Sequence, residues 1–312
     1  MINQIKGSFF GAAVGDALGV PVEFSAREAL RHNPVNDLRG YGVWHQPPGT
    51  FSDDSSLLFC TAESLCSGFS LNDIAARFIR WSQQGYWGAH NAVFDIGGAT
   101  RAAISRLLQG TSPLLSGGMF ENDNGNGSLM RILPVAFYLR KEPSVSKRYE
   151  IIKQLSGITH QHFRSVMACF IYTELCLSIL TESDAETAYR RMQRTVNEFI
   201  GGQSFSSTEI ILFNRVLQDN IADIPEEYIQ SSGYVVHTLE SSVWCFFNTS
   251  SYSEAVLKAV NLGGDTDTTG TVTGGLAGLR YGYDAIPTDW TQRLAKAEEI
   301  TDLVMRFFQA VQ

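Results

Sequence analysis

Two segments of this chain carry glycine at every fourth position: Gly7, Gly11, Gly15 and Gly19 near the start, and Gly270, Gly274, Gly278 and Gly282 near the end. Glycine inside a helix is worse than alanine by about 1 kcal/mol. Several in register along one face therefore need a compensation. Close approach of a second helix backbone, with no Cβ between the two, is the obvious one, as at small-residue interfaces in membranes. The spacing predicts helices beginning near Gly7 and Thr268, both buried and packed through their glycine faces. A glycine track that accommodates a ligand is the alternative.

Helical periodicity dominates elsewhere. Val166, Phe170, Thr173, Leu177 and Leu180 fall three or four apart in residues 164–180. Trp290, Leu294, Ala297, Ile300, Val304, Phe307 and Val311 do the same in residues 290–311. Such stripes predict buried helix faces. Alternation at period two is scarce, and no GxGxxG fingerprint follows a strand. The expectation is an all-α fold in one domain over residues 1–312, with glycines and acids gathered in the loops at 33–54, 112–127 and 263–267.

The net charge of −8, without a basic run, argues against nucleic-acid binding, which draws most of its affinity from Lys and Arg on phosphates. No stretch reads as the roughly 20 apolar residues of a membrane span. Gly15 and Asp16 interrupt what would be the apolar core of a signal peptide. Cys60, Cys66, Cys169, Cys176 and Cys245 form no CxxC pair and read as free thiols. A cytoplasmic protein is expected.

Two aspartate clusters are the strongest local signals: Ser52-Asp53-Asp54-Ser55, and Asp265-Thr266-Asp267-Thr268. Each precedes an apolar helical segment, so helix capping is the simple reading. Capping needs one such residue, however, and these loops supply four carboxylates. Two carboxylates about 4 Å apart repel by about 4 kcal/mol at an effective dielectric near 20. If the clusters meet, they need protons or cations, and all-oxygen ligation suits Mg²⁺ or Mn²⁺. A third segment, Asp123-Asn124-Gly125-Asn126-Gly127-Ser128, leads into an apolar helix expected from Leu129. Backbone N–H groups there suit a diphosphate cradle, and a plain turn with an N-cap fits equally well.

Together these motifs resemble the ADP-ribosylglycohydrolase family, over nearly the whole chain and in the same order. The opening helix 11–19 with Pro21 and Glu23, the 48–55 and 261–268 metal motifs, and the 125–131 loop carry the resemblance. So do Thr159-His160, Ile286-Pro287 and Trp290. The chain departs from the family's usual threonines at Ser52 and Ser55, which keep the oxygen, and has Thr269-Gly270 after the second aspartate pair.

The resemblance implies an all-α, orthogonal helical bundle with a binuclear metal cleft. It implies two Mg²⁺ ions, with Mn²⁺ as the alternative, ligated by Ser52, Asp53, Asp54, Asp265, Asp267 and Thr268. Asp54 or Asp267 takes the water proton, with Glu23 gating access or assisting. Gly125, Asn126, Gly127, Ser128 and His160 bind substrate, and Asp123 receives an arginine guanidinium. Tyr86, Trp87 and Phe94 read as core packing, with adenine stacking as the alternative. The implied activity is removal of ADP-ribose from a modified protein side chain, arginine foremost. Its partner is an ADP-ribosylated protein or another ADP-ribose conjugate. A serine-linked or O-acetyl-ADP-ribose substrate is the alternative within enzymes. An immunity protein that occludes an ADP-ribosylating toxin is the alternative outside them.

Overall fold

The computed structural model describes residues 1–312 and contains no strand, only isolated bridges pairing Gly118 with His160 and Gly125 with Tyr234. The helices that position the site are α1 (Ile2–Gly19), α2 (Asp53–Leu65), α3 (Phe163–Thr181), α4 (Val235–Phe247), α5 (Tyr252–Asn261), α6 (Thr266–Tyr281) and α7 (Ala297–Val311).

The glycine rows meet. A Cβ on Gly7 would stand 2.3 Å from the carbonyl oxygen of Gly278, one on Gly11 2.4 Å from that of Gly274, and one on Gly15 2.1 Å from that of Gly270. The partner number falls as the first number rises, so α1 and α6 run antiparallel with their backbones touching. Two members of the rows do something else. Gly19 faces the backbone of Thr266 and Asp267 instead of a glycine. Gly282 lies just past α6 at φ +81°, where only glycine turns easily.

This antiparallel pair is buried on nearly every side. Helices α3, α4 and α5 pack on α6, while α2 and α7 pack on α1. Phe9 of α1 meets Phe59 of α2 and Phe307 of α7 with ring centroids 6.4 and 5.2 Å apart. These side chains belong to one contiguous apolar cluster. The consequence for function is geometric: the C-terminal end of α1 is delivered to the N-terminal end of α6.

Three local readings need correction. The 290–311 stripe is two helices, Thr288–Arg293 and α7. The break is tied down because the Ala295 N–H donates to the Gly49 carbonyl at 2.9 Å, and Lys296 then turns left-handed at φ +57°. No helix starts at Leu129. Residues 128–131 are turns, and the helix is Leu133–Leu139, with Pro134 in its first turn where the missing N–H is harmless. Lastly, α3 is long and apolar enough to cross a membrane by length and composition, contrary to the reading of the sequence, but 78% of that window is buried inside the protein. It serves as a core helix. All five cysteines are free.

Candidate functional site

Helix α2 begins at the first aspartate cluster. Ser52 is its N-cap, accepting the Asp54 N–H at 3.2 Å. Asp53 and Asp54 occupy the first turn without capping anything, their carboxylates at the positive end of the helix dipole. Helix α6 begins at the second cluster, with Asp265 as N-cap making no side-chain cap bond and Asp267 in the first turn. The α1–α6 contact sets these two helix starts face to face, and Thr268 Oγ1 lies 3.4 Å from Asp54 Oδ1. Capping explains Ser52, therefore, and leaves the four carboxylates unexplained.

Asp16, in the last turn of α1, links the pieces. Its Oδ1 accepts the Ser52 N–H at 2.9 Å, and its Oδ2 accepts the Ser55 N–H at 3.1 Å and the Ser55 hydroxyl at 2.6 Å. One carboxylate thus fixes the start of α2 against α1. Glu23 follows α1 by a single turn and accepts the Trp44 indole N–H. Ligand oxygens of Glu23, Asp265 and Asp267 all lie within 4.8 Å of one another.

Burial among like charges raises six of these carboxyls. Burial, followed by the charges of Asp95, Asp16 and Glu23, holds the Asp53 carboxyl well above the usual range. Burial and the neighbouring acids do the same to Asp54 and Asp267. Glu23 is pushed up to about 8 by burial and Asp95, against the Trp44 hydrogen bond. Burial raises Asp16 to about 7 despite its bonds to Ser55 and Ser52, and burial with Asp265 raises Asp95 to about 6.

Buried oxygens of Asp54 (Oδ2) and Asp265 (Oδ1) have no hydrogen-bond partner. Unpaired, desolvated, all-oxygen donors are what a hard divalent cation satisfies. The residues present fit such an ion.

The cluster opens into a cleft of about 370 Å³, lined on one wall by Glu23, Asp53, Asp54, Asp95 and Asp265 and on the other by the 125–127 loop and His160. The Gly125–Tyr234 bridge and the Asn126 N–H, which donates to the Gly233 carbonyl at 3.1 Å, brace that loop. The Asn126 side chain donates from Nδ2 to Asp265 Oδ2 and to Thr238 Oγ1, both at 2.9 Å. Asn126 is thereby a holder of the acid wall. Glycine is required at 127 because a Cβ there would stand 2.8 Å from Cε1 of His160. His160 is buried, and burial with the Arg131 charge pushes its imidazole down to about 3. Phe24, at φ +63° and 68% exposed, also lines the cleft.

Some expected residues lie elsewhere. Ser128 is fully buried, its hydroxyl against Ser156 and Cys169, facing away from the cleft. Asp123 is outside the lining. Its Oδ2 accepts the Phe120 N–H at 3.0 Å and the carboxylate lies over Gly118, so it stabilises its own turn. Trp87 is in the core, with its indole on Glu63, and Phe94 packs on Trp44. A roomier surface cleft of about 760 Å³ between Trp87 and Arg306 holds none of the clustered carboxylates. Residue pattern alone does not mark Asp16 and Asp95 as site residues. Asp16 sits in an apolar helix where a lone acid is anomalous, which was the available signal; Asp95 had none.

The sequence profile described as ADP-ribosylglycohydrolase matches residues 1–312. The chain is similar to an ADP-ribosylarginine hydrolase Tri1 of Serratia proteamaculans, 32% identical over 98% of this chain and 79% of that protein. It is also similar to the ADP-ribosyl-[dinitrogen reductase] glycohydrolase of Rhodospirillum rubrum, 30% identical over 94% of this chain and 90% of that protein. A solved structure titled as an ADP-ribosylglycohydrolase-related protein complex superimposes with a TM-score of 0.83 at 30% identity, covering 100% of this chain and 99% of that one.

Proposed function

The chain belongs to the ADP-ribosylglycohydrolase family, and from that premise we propose that it hydrolyses the N-glycosidic bond between ADP-ribose and arginine side chains of modified proteins, with Mg²⁺ in the acid cluster. The observation that carries the reading is the convergence of Glu23, Asp53, Asp54 and Asp265, with Asp267 beside Glu23 and Asp265, on a cleft whose other wall is the 125–127 loop and His160. The arginine linkage is supported by relatives named ADP-ribosylarginine hydrolases at 30–32% identity.

In this reading Ser52, Asp53, Asp54, Asp265, Asp267 and Thr268 hold two divalent ions, Mg²⁺ or Mn²⁺. When bound, the ions supply a charge that orients the ribose hydroxyls and acidifies a water. The chain's own groups do the rest. The 125–127 loop, with His160 behind it, positions the diphosphate and ribose and restricts the approach of water. A water oxygen bonds to the anomeric carbon as the carbon–nitrogen bond breaks. Its proton passes to the carboxylate of Asp54 or Asp267, and the departing guanidine nitrogen takes a proton from Glu23, which is protonated more readily than an ordinary glutamate. The proton taken from water replaces the one Glu23 gives up, so the reaction is proton-neutral overall.

The guanidinium partner in this reading is no longer Asp123, whose carboxylate is engaged by its own turn. Asp95, on the cleft wall, takes that part. Asp95→Asn is expected to lower kcat/KM on arginine-linked ADP-ribose by about tenfold, the scale of one hydrogen bond to a charged group. Asp123→Ala lowers arginine-linked and serine-linked turnover alike. A selective loss of arginine turnover in Asp123→Ala, with Asp95→Asn unaffected, would reverse the assignment.

The loop has its own test. Gly127→Val drives a side chain into the His160 ring and is expected to weaken ADP-ribose binding by at least about tenfold while leaving Mg²⁺ affinity near wild type. Calorimetry with each ligand separates the two, and an equal loss of both would remove the loop from the substrate site. The reaction itself is tested with an ADP-ribosylated arginine peptide and Mg²⁺. Free ADP-ribose is the expected product, and its absence, with a serine-linked peptide cleaved instead, sinks the arginine reading.

A further inference from the structure

Behind the loop wall lies a guanidinium that the reaction does not use. Arg131 is fully buried, and its Nε and Nη1 have no hydrogen-bond partner. No carboxylate pairs with it. The ring of Phe78 covers it at 4.7 Å, and its Nη2 donates to the Leu155 carbonyl at 3.3 Å and to Thr159 Oγ1 at 2.8 Å. Thr159 Oγ1 in turn lies 2.8 Å from Nδ1 of His160. Both residues are buried, and the backbone around them is held by the Gly118 N–H on the Thr159 carbonyl at 3.0 Å and by the Gln161 N–H on the Gly118 carbonyl at 2.7 Å.

The direction of these bonds is decided by what each group is able to do. A guanidinium only donates, so the Thr159 oxygen accepts from Arg131. The hydroxyl hydrogen of Thr159 then has one acceptor in reach, the Nδ1 lone pair of His160. If Nδ1 carried the proton, Thr159 Oγ1 would face two donors and its own hydrogen would be stranded in a dry interior. An imidazolium is disfavoured by the same count, because it too carries a proton on Nδ1. The ring hydrogen belongs on Nε2. That edge turns towards the cleft, where Gly125 and Gly127 leave it uncovered: a Cβ at either position would stand 3.4 or 3.3 Å from Nε2.

We propose that Arg131 and Thr159 are positioning residues, whose run of donors locks His160 as a neutral Nε2–H donor presented to an acceptor oxygen of ADP-ribose in the cleft. The ligand named here rests on the reaction proposed above. The tautomer does not, since it is a property of the free protein. The arrangement gives a reason for keeping a buried cation without a counter-ion: it polarises the Thr159 hydroxyl towards the imidazole.

The experiment is ¹⁵N NMR of histidine-labelled protein without ligand, with the His160 signal assigned by its loss in His160→Gln. Wild type is expected to show a neutral ring protonated on Nε2 throughout the range around pH 6.5 where an ordinary imidazole titrates. Thr159→Val should give mixed tautomers and about tenfold weaker ADP-ribose binding, the scale of one hydrogen bond to a charged acceptor. Thr159→Ser should restore both. A wild-type ring protonated on Nδ1 overturns the proposal without need of any variant, and so does an unchanged tautomer in Thr159→Val. Should the wild-type ring be as expected while ADP-ribosylated peptides are left intact, the positioning role stands and the proposed reaction falls.

Discussion

Excess EDTA is expected to stop ADP-ribose release by this protein, and Asp267→Asn to slow it by at least about a hundredfold, equivalent to about 2.7 kcal/mol of barrier, with the helices still folded. Asp267 is fully desolvated among Glu23, Asp265, Asp54 and Asp16. Burial and the neighbouring acids already favour its neutral form in the cation-free protein, and asparagine is neutral too, so the cation-free protein should lose no stability. A cation that binds only the folded state stabilises it by about 2.7 kcal/mol at a hundred times its dissociation constant, and Asp267→Asn should forfeit most of that gain.

The same acids set a pH dependence. Glu23 stands at about 8 against an ordinary 4.5, Asp16 at about 7 and Asp95 at about 6 against 3.8. With each folded value above its unfolded one, the folded state holds more protons than the unfolded chain between them. Cation-free protein therefore gains stability as the pH falls from about 8 through that window. Protons compete with the cation, so the stabilisation by Mg²⁺ shrinks over the same range. Thermal unfolding in EDTA and in Mg²⁺, at several pH values, reads both effects. Full activity in excess EDTA, or a melting temperature indifferent to Mg²⁺, would end the metal mechanism.

Gly274→Leu is expected to destabilise the protein by about 3 kcal/mol or more, the upper end of ordinary overpacking, and Gly274→Ala by a large part of that. Even the single carbon of alanine would stand 2.1 Å from the Gly11 carbonyl oxygen. The obstacle is the backbone of a buried helix, which has no rotamer to adopt. Helix propensity runs the other way, favouring alanine by about 1 kcal/mol, so a net loss measures the contact. Gly201→Ala is the control: it ends the Ala185–Gly201 helix with nothing within 4 Å of its added carbon, and its stability should stay at or above wild type. Denaturant unfolding of the three variants decides the matter; Gly274→Ala as stable as wild type would mean that α1 and α6 are not packed this closely in solution. Because α6 also carries Asp267, partial displacement of the pair should lower activity in any Gly274 variant that still folds.

The sequence by itself determined the all-α class, the two glycine-faced helices though not their pairing with each other, and the aspartate-bearing starts of α2 and α6. These are local properties: period, glycine spacing and capping chemistry are written in consecutive residues. It did not determine what meets what. Asp16 reads as an oddity in an apolar helix until antiparallel packing carries it to Ser52 and Ser55, 36 and 39 residues away. Asp95 becomes part of the acid wall only because the chain returns to the cleft there. Asp123 and Ser128 lie in the right loop but turn out of the cleft, since a turn fixes side-chain direction through hydrogen bonds that residue order does not reveal. The break at 294–296 was equally hidden, because the Gly49 carbonyl that holds it lies far away in sequence. Residue pattern selects helices and their buried faces, whereas convergence of charge is a property of three-dimensional packing. Only the tertiary structure decided which acids share a cleft, and with what they share it.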